Sequence, residues 1–349
     1  MSATALEIAP PESVYSFLRT HPEYGGASKA RNYYQLAEAR GRGDLLVHAA
    51  PVQIRFEPDA RCNLRCCWAQ RNPKHPGLRP RGGADPDLVR RLIDQIGESL
   101  YAVNLHHWGE PTLNPRLPEL VRLFHDAGVC TTFHTNLTLM TAELAAALIE
   151  AGLDLVSGSI DGVSQPVYGQ YRINGNVDRA LAGLRHLARQ RRGLGRMNPH
   201  IRWQFLVFPH NEHEVEPARR LASEIGADVF DAVAGSGLRW TPEEGFKPRQ
   251  AARRPQGLLC EDPWYGFAVD WDGAVQLCCR AFQARHVMGH MAEDDLRNIF
   301  DNERFQVARR VLRDGTWNEG DKPIPCTGCN KVKYFVPGIA RLNHRLTLG

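Results

Sequence analysis

Between residues 51 and 234, short apolar runs alternate with longer segments that are apolar on one side only. The runs 52–56, 101–106, 129–134, 153–160, 201–208 and 227–233 read as strands. Between them, 88–96 repeats Leu88, Leu92, Ile93 and Ile96 at helical spacing. Segments 117–127, 141–151, 177–190 and 212–225 also read as helices, with Thr141 as an N-terminal cap. Strands separated by helices imply parallel neighbours joined by right-handed crossovers. The expected fold is therefore α/β, a partial (β/α)6 TIM-type barrel with its active site at the carboxyl ends of the strands.

The flanks read differently. Residues 1–50 form an N-terminal helical leader, with short helices expected at 12–19 and 27–40 and breaks at Pro10-Pro11 and Gly25-Gly26. This leader reads as a lid or packing arm without chemistry. Residues 71–85 are a long loop rich in Pro, Gly and basic side chains, and 235–258 form a Gly-, Pro- and Arg-rich linker. Residues 259–335 make a small cysteine-rich module, followed by a basic tail at 336–349. Within the module, 268–273 reads as a hairpin with an Asp272-Gly273 turn.

A net charge of +4 on 349 residues argues against a nucleic-acid binder. No apolar run is long enough to span a bilayer, and Met1-Ser2-Ala3-Thr4-Ala5 begins no secretory signal. Nine cysteines in that setting point to a reducing, cytoplasmic compartment, where they serve as metal ligands rather than disulfides.

Their placement carries the chemistry. Cys62, Cys66 and Cys67 crowd the loop after the first strand. Thiols this close in a post-strand loop suit a metal centre. Cys260, Cys278 and the pair Cys326-Thr327-Gly328-Cys329 supply four more, which suits zinc or an iron–sulfur cluster. Cys130 lies on an expected strand and reads as core. His106 and His107 end another strand, and alternation turns one of them inward, to bind substrate, to act as a base or only to satisfy the core.

The loop Cys62-Asn63-Leu64-Arg65-Cys66-Cys67-Trp68-Ala69 resembles the signature C-x-x-x-C-x-aromatic-C of the S-adenosylmethionine (SAM) radical enzymes. Cys62 and Cys66 match its first two cysteines and Trp68 its aromatic residue. Ala69 stands where the third cysteine belongs. Trp108-Gly109-Glu110-Pro111 is similar to the family's Gly-Gly-Glu-Pro segment, with Trp108 in place of the first glycine. Ser157-Gly158-Ser159-Ile160-Asp161-Gly162 resembles its Ser-x-Asp-Gly segment, and Arg172 matches an arginine that often follows. The competing readings are a helix cap at Asp161 and a surface arginine at 172.

The resemblance implies a SAM-binding 4Fe–4S cluster on Cys62 and Cys66, with Cys67 as a possible substitute ligand. It also implies SAM held by Trp68, Gly109, Glu110, Ser159, Asp161 and Arg172. The order of Cys260, Cys278, Cys326 and Cys329 resembles the twitch form of the SPASM auxiliary domain, which implies a second, fully ligated 4Fe–4S cluster. A zinc ribbon is the competing reading. Cys279 follows a ligand, as a hydrogen-atom donor or as a packed neighbour.

The implied reaction is hydrogen abstraction by a 5'-deoxyadenosyl radical. Oxidation, epimerisation or rearrangement of a small sugar- or aminocyclitol-like metabolite then follows, with electrons from a flavodoxin or ferredoxin. A SPASM-type peptide-modifying enzyme and a non-catalytic metal-binding protein are the alternatives. Ala69 leaves three readings open: a replaced ligand in a competent enzyme, a variant that uses Cys67 or another group, or a relative that binds without catalysing.

Overall fold

The computed structural model describes residues 24–66, 80–235, 260, 262–281 and 283–329. Cys67, Trp68, Ala69, the helix expected at 12–19, nearly all of the expected linker and the tail from 330 onward lie outside the described residues.

The chain opens with helix α1 (Ala27–Arg42) and then alternates as its apolar pattern requires. The order is β1 (Gln53–Phe56), α2 (Pro86–Ile96), β2 (Ala102–Asn104), α3 (Leu117–Asp126), β3 (Cys130–Thr135), α4 (Ala142–Glu150) and β4 (Leu155–Ser159). Then come α5 (Gln165–Tyr171), α6 (Val177–Gly193), β5 (His200–Val207), α7 (Val215–Ile225) and β6 (Val229–Ala234). The auxiliary module supplies α8 (Asp262–Tyr265), β7 (Gly266–Val269), β8 (Ala274–Gln276), β9 (Val287–His290), α9 (Leu296–Phe300) and α10 (Glu303–Asp314). Local chemistry starts the helices: Asp85 accepts from Asp87 N, Thr141 from Leu144 N and Asn176 from Arg179 N.

Strands β1 to β6 are all parallel and adjacent in chain order. A partial barrel leaves the other edge of β1 unpaired, and an open edge must be covered. Here β7 pairs with β1 in parallel, Gln53 opposite Gly266, and β8 and β9 continue antiparallel. Barrel and auxiliary module therefore share one nine-stranded sheet, β6-β5-β4-β3-β2-β1-β7-β8-β9. The expected hairpin forms, with Gly273 at φ 94°, a left-handed turn that suits glycine.

Period-2 alternation divides the barrel strands. Ile54, Phe56, Val103, Phe133, Val156, Trp203, Phe205 and Val207 join the apolar core with the helices. The opposite face is polar. Arg55, Asn104 and Thr132 border one small cavity there, and Arg202 Nε donates to Ser157 Oγ at 3.0 Å. A barrel filled with polar side chains is built around a ligand space rather than for packing alone.

The leader forms the packing arm. Tyr33 stacks on Tyr265 at 6.0 Å, Lys29 Nζ donates to Gly128 O, and the Tyr24 hydroxyl donates to Asp154. Gly128 and Asp154 precede β3 and β4, so α1 closes the amino ends of the strands, away from the candidate site.

Arg309 of α10 is the clamp between these parts. Its fully buried guanidinium donates to Pro263 O, Leu45 O, Phe300 O and Asp301 Oδ1. Burial pulls its pKa down to about 10 although Asp301 opposes the shift. Replacing Arg309 with Met strands three carbonyls and leaves Asp301 only the Val47 and His48 N–H groups among the described residues, and is expected to cost about 3–5 kcal/mol. Urea unfolding of the two proteins checks this; an unchanged midpoint contradicts the clamp.

Candidate active site

Most segments of the site leave the carboxyl end of a strand, and the loops are tied to one another. After β1, buried Asp59 accepts Arg61 Nε at 2.9 Å and Arg61 N at 2.8 Å, turning the chain toward Cys62. A Cβ at Gly109 would stand 1.5 Å from Asp59 O, so this close approach admits glycine alone. Glu110 N donates to Arg61 O at 2.7 Å, and Arg65 N to Ile173 O at 2.9 Å. Asn136 Nδ2 reaches Asn63 Oδ1 at 2.9 Å, and Asn63 Nδ2 reaches Thr138 Oγ1 at 2.8 Å. The cysteine loop is thus fastened to the loops after β2, β3 and α5.

Together they enclose a cavity of about 450 Å³. Its walls bring together Cys62, Cys66, His107, Gly109, Glu110, Ser159, Arg172 and Cys279 from the sequence-derived set. Trp108 also lines it, and its indole donates to Ala281 O at 3.0 Å, which bolts the β2 loop to the auxiliary module. Cys67 and Trp68 lie outside the described residues.

Asp161 is the exception. It is fully buried behind the wall, where Oδ2 accepts Arg172 Nε at 2.5 Å and Oδ1 accepts Leu206 N at 2.7 Å. It holds Arg172 rather than facing the cavity. Burial disfavours the Arg172 charge, but Asp161 and the Cys66 thiol outweigh it and raise the pKa. Arg172 Nη1 lies 3.9 Å from Cys66 Sγ. Glu110 also serves the fold. Its carboxylate accepts from Thr112 N, Thr112 Oγ1, Thr135 Oγ1 and Asn136 N, stitching the ends of β2 and β3 together.

Alternation called for one inward histidine of the pair 106–107, but both line the cavity. Strand β2 ends at Asn104, so the side chains beyond it leave the two-sided pattern. His134, Asn136, Tyr171 and Leu206 are among the other residues of the wall. His134 was legible as a strand-end residue. Asn136 makes a local turn, its Oδ1 accepting Thr138 N, but its bond to Asn63 joins residues distant in sequence and leaves no local signal.

His106 and His134 lie ring to ring at 4.4 Å. Burial, then Arg55 and Arg202, lowers the His106 pKa to about 3, and burial, His106 and Arg202 also pull His134 well down. Both are therefore neutral near pH 7. The unfolded chain binds these protons near pH 6.5 and the folded chain does not, so stability falls as pH drops from about 6.5 toward 3. His106→Gln is expected to flatten that limb of the urea midpoint against pH; an unchanged slope contradicts the assignment.

The second group of cysteines also converges. Cys260, Cys278, Cys326 and Cys329 line one pocket with Asp262. The turn Pro325–Gly328 brings the last two together, Cys329 N donating to Cys326 O at 3.2 Å. Burial raises the thiol pKa of Cys278, reinforced by Asp262, and that of Cys326, reinforced by Cys278 and Cys260. Four convergent thiols beside one carboxylate are a donor set that fits a metal cluster. Cys279 and Arg280 line both this pocket and the large cavity. At the first site the fit is partial. Cys62 and Cys66 offer two thiols with a cation beside one, while Ala69 offers none.

Among the described residues no helix is long and apolar enough to cross a membrane.

Comparison with known proteins agrees with this geometry. The Radical SAM superfamily model matches residues 57–220, and an iron–sulfur cluster-binding domain model, SPASM, matches 260–330. The AdoMet-dependent heme synthase of Methanosarcina barkeri is 30% identical over 52% of this chain and 50% of that protein. This chain thus aligns with about half the length of that relative. The tungsten-containing aldehyde ferredoxin oxidoreductase cofactor-modifying protein of Pyrococcus furiosus is 29% identical over 79% of this chain and 86% of the relative. The crystal structure of Streptococcus suis SuiB bound to its precursor peptide SuiA superposes with a TM-score of 0.64 at 12% identity, covering 95% of this chain and 86% of that one. At that identity the likeness establishes the fold alone. Two matched domains, a parallel barrel sheet and two convergent cysteine sites place this chain in the radical SAM superfamily of enzymes, with a SPASM-type iron–sulfur domain.

Proposed function

We propose that this protein, once a third ligand in place of Ala69 completes the first cluster, abstracts hydrogen from a small polar metabolite in the 450 Å³ cavity and oxidises it, a sugar- or aminocyclitol-like molecule being the class that fits. The observation that carries this reading is the shared wall: Cys279 and Arg280 border both the cavity and the cysteine quartet. When bound, SAM and the first cluster supply the 5'-deoxyadenosyl radical, and the auxiliary cluster supplies an electron acceptor.

The chain's own residues divide the remaining work. Arg172, held by Asp161, presents a guanidinium suited to the SAM carboxylate. Ser159 and Glu110 offer a hydroxyl and a carboxylate on the same wall, and Gly109 keeps the backbone close. Cys62 and Cys66 are the thiols for the first cluster, and Cys260, Cys278, Cys326 and Cys329 those for the second. His107 and Cys279 border the substrate's share of the space on the auxiliary side. A cavity of this size is in the small-molecule range of about 300–1,000 Å³, and SAM occupies part of it. That leaves room for a compact substrate rather than a folded peptide. The external electrons come from a ferredoxin- or flavodoxin-type donor.

Calorimetric titration of SAM into anaerobically reconstituted protein tests the assignment. Arg172→Met is expected to weaken binding at least about tenfold through loss of a charged hydrogen bond. Equal affinity of Arg172→Met and Ser159→Ala with the parent protein would put SAM elsewhere.

A further inference from the structure

Three strand ends meet where the barrel joins the auxiliary hairpin: Glu57 after β1, His107 after β2 and Asp270 after β7. The two carboxylates are 4% and 3% exposed, and His107 lines the large cavity. One ligand atom from each lies within 4.8 Å of the other two. We propose that Glu57, His107 and Asp270 form a site for a divalent cation that prefers nitrogen and oxygen donors, separate from both cysteine sites.

The donor set suits such an ion. Two carboxylates and one imidazole match manganese, iron(II) or zinc better than a thiolate-seeking metal. Bonds of about 2.1 Å put adjacent ligands about 3 Å apart. His107 Nδ1 and Asp270 Oδ1 are 2.9 Å apart, a separation that serves a hydrogen bond or the edge of a coordination shell. Glu57 Oε1 accepts Trp108 N at 3.1 Å, which fixes that carboxylate.

A second observation is independent of the acidic pair. Gln276 is fully buried, and its amide Nε2 donates to Asp270 Oδ2 at 2.9 Å. Its Oε1 is buried and has no hydrogen-bond partner among the described residues. A buried amide oxygen left in this way is costly, and its own amide nitrogen fixes it beside the cluster. A cation, or a water carried by one, satisfies it.

An ion at this wall takes an oxygen of the substrate as a further ligand. In that respect the inference rests on the proposed function and deepens it: the substrate carries a hydroxyl or carboxylate toward His107. The proton of a coordinated hydroxyl becomes easier to lose.

Manganese(II) is the probe, added to full-length reconstituted protein whose thiols are occupied and followed by the loss of its free-ion paramagnetic resonance signal. The expected result is retention of about one manganese per chain at micromolar concentrations. Glu57→Gln and Asp270→Asn, which keep shape, and His107→Gln should each weaken retention at least about tenfold. Asp87→Asn, which removes a surface carboxylate outside the site, should retain manganese like the parent. Failure of the parent protein to retain manganese, or equal retention by Asp270→Asn and Glu57→Gln, overturns the site. SAM affinity measured on the same samples reports separately on the proposed function.

Discussion

Restoring the missing ligand, Ala69→Cys, is expected to raise the iron bound after anaerobic reconstitution by about four atoms per chain. Reductive cleavage of SAM should rise with it. The physical reason is coordination number. Three thiolates hold three irons of a cube and leave the fourth open to SAM, whereas two hold the cube poorly. The framework around Cys62 and Cys66 is already built. Gly109 packs onto Asp59, Asn136 holds Asn63, and Arg172 stands 3.9 Å from Cys66 Sγ. Iron and sulfide analysis with quantification of 5'-deoxyadenosine provides the check. If Ala69→Cys changes neither, residue 69 is not the missing ligand.

Cys326→Ser should have the opposite profile. It removes one of four thiols from the buried pocket, and the remaining three leave the auxiliary cluster incompletely held. Iron is expected to fall by about four atoms per chain. SAM cleavage by a protein that also carries Ala69→Cys should stay largely intact, because Cys326 does not line the large cavity. Product formation should fall even though SAM is cleaved. Loss of SAM binding in this variant would contradict the division of labour between the two sites.

The legible parts of the molecule were those encoded locally. Strand and helix alternation follows from side-chain periodicity within each segment. The thiol spacings of Cys62-x-x-x-Cys66 and Cys326-x-x-Cys329 are chemical statements in themselves. What escaped depends on partners far along the chain. The pairing of β7 with β1 joins two segments about 210 residues apart through backbone groups that every sequence possesses. It therefore leaves no residue-type signal, and the auxiliary module read as a separate unit. Asp161 has the residue type of a ligand contact, but its neighbours Arg172 and Leu206 decide that it anchors instead. His106 and His107 both reach the cavity because β2 stops at Asn104, and an end point is the least predictable property of a strand. The Glu57–His107–Asp270 meeting point likewise exists only once β1, β2 and β7 lie side by side.

The central claim is that the auxiliary quartet holds iron, not zinc, beside a radical-generating cavity. Crystals of the anaerobically reconstituted protein, measured with X-rays on either side of the iron and zinc absorption edges, test it most directly. A compact iron signal among Cys260, Cys278, Cys326 and Cys329, with no zinc there, is the predicted map. A single zinc atom at that position, with the iron signal absent, would contradict it.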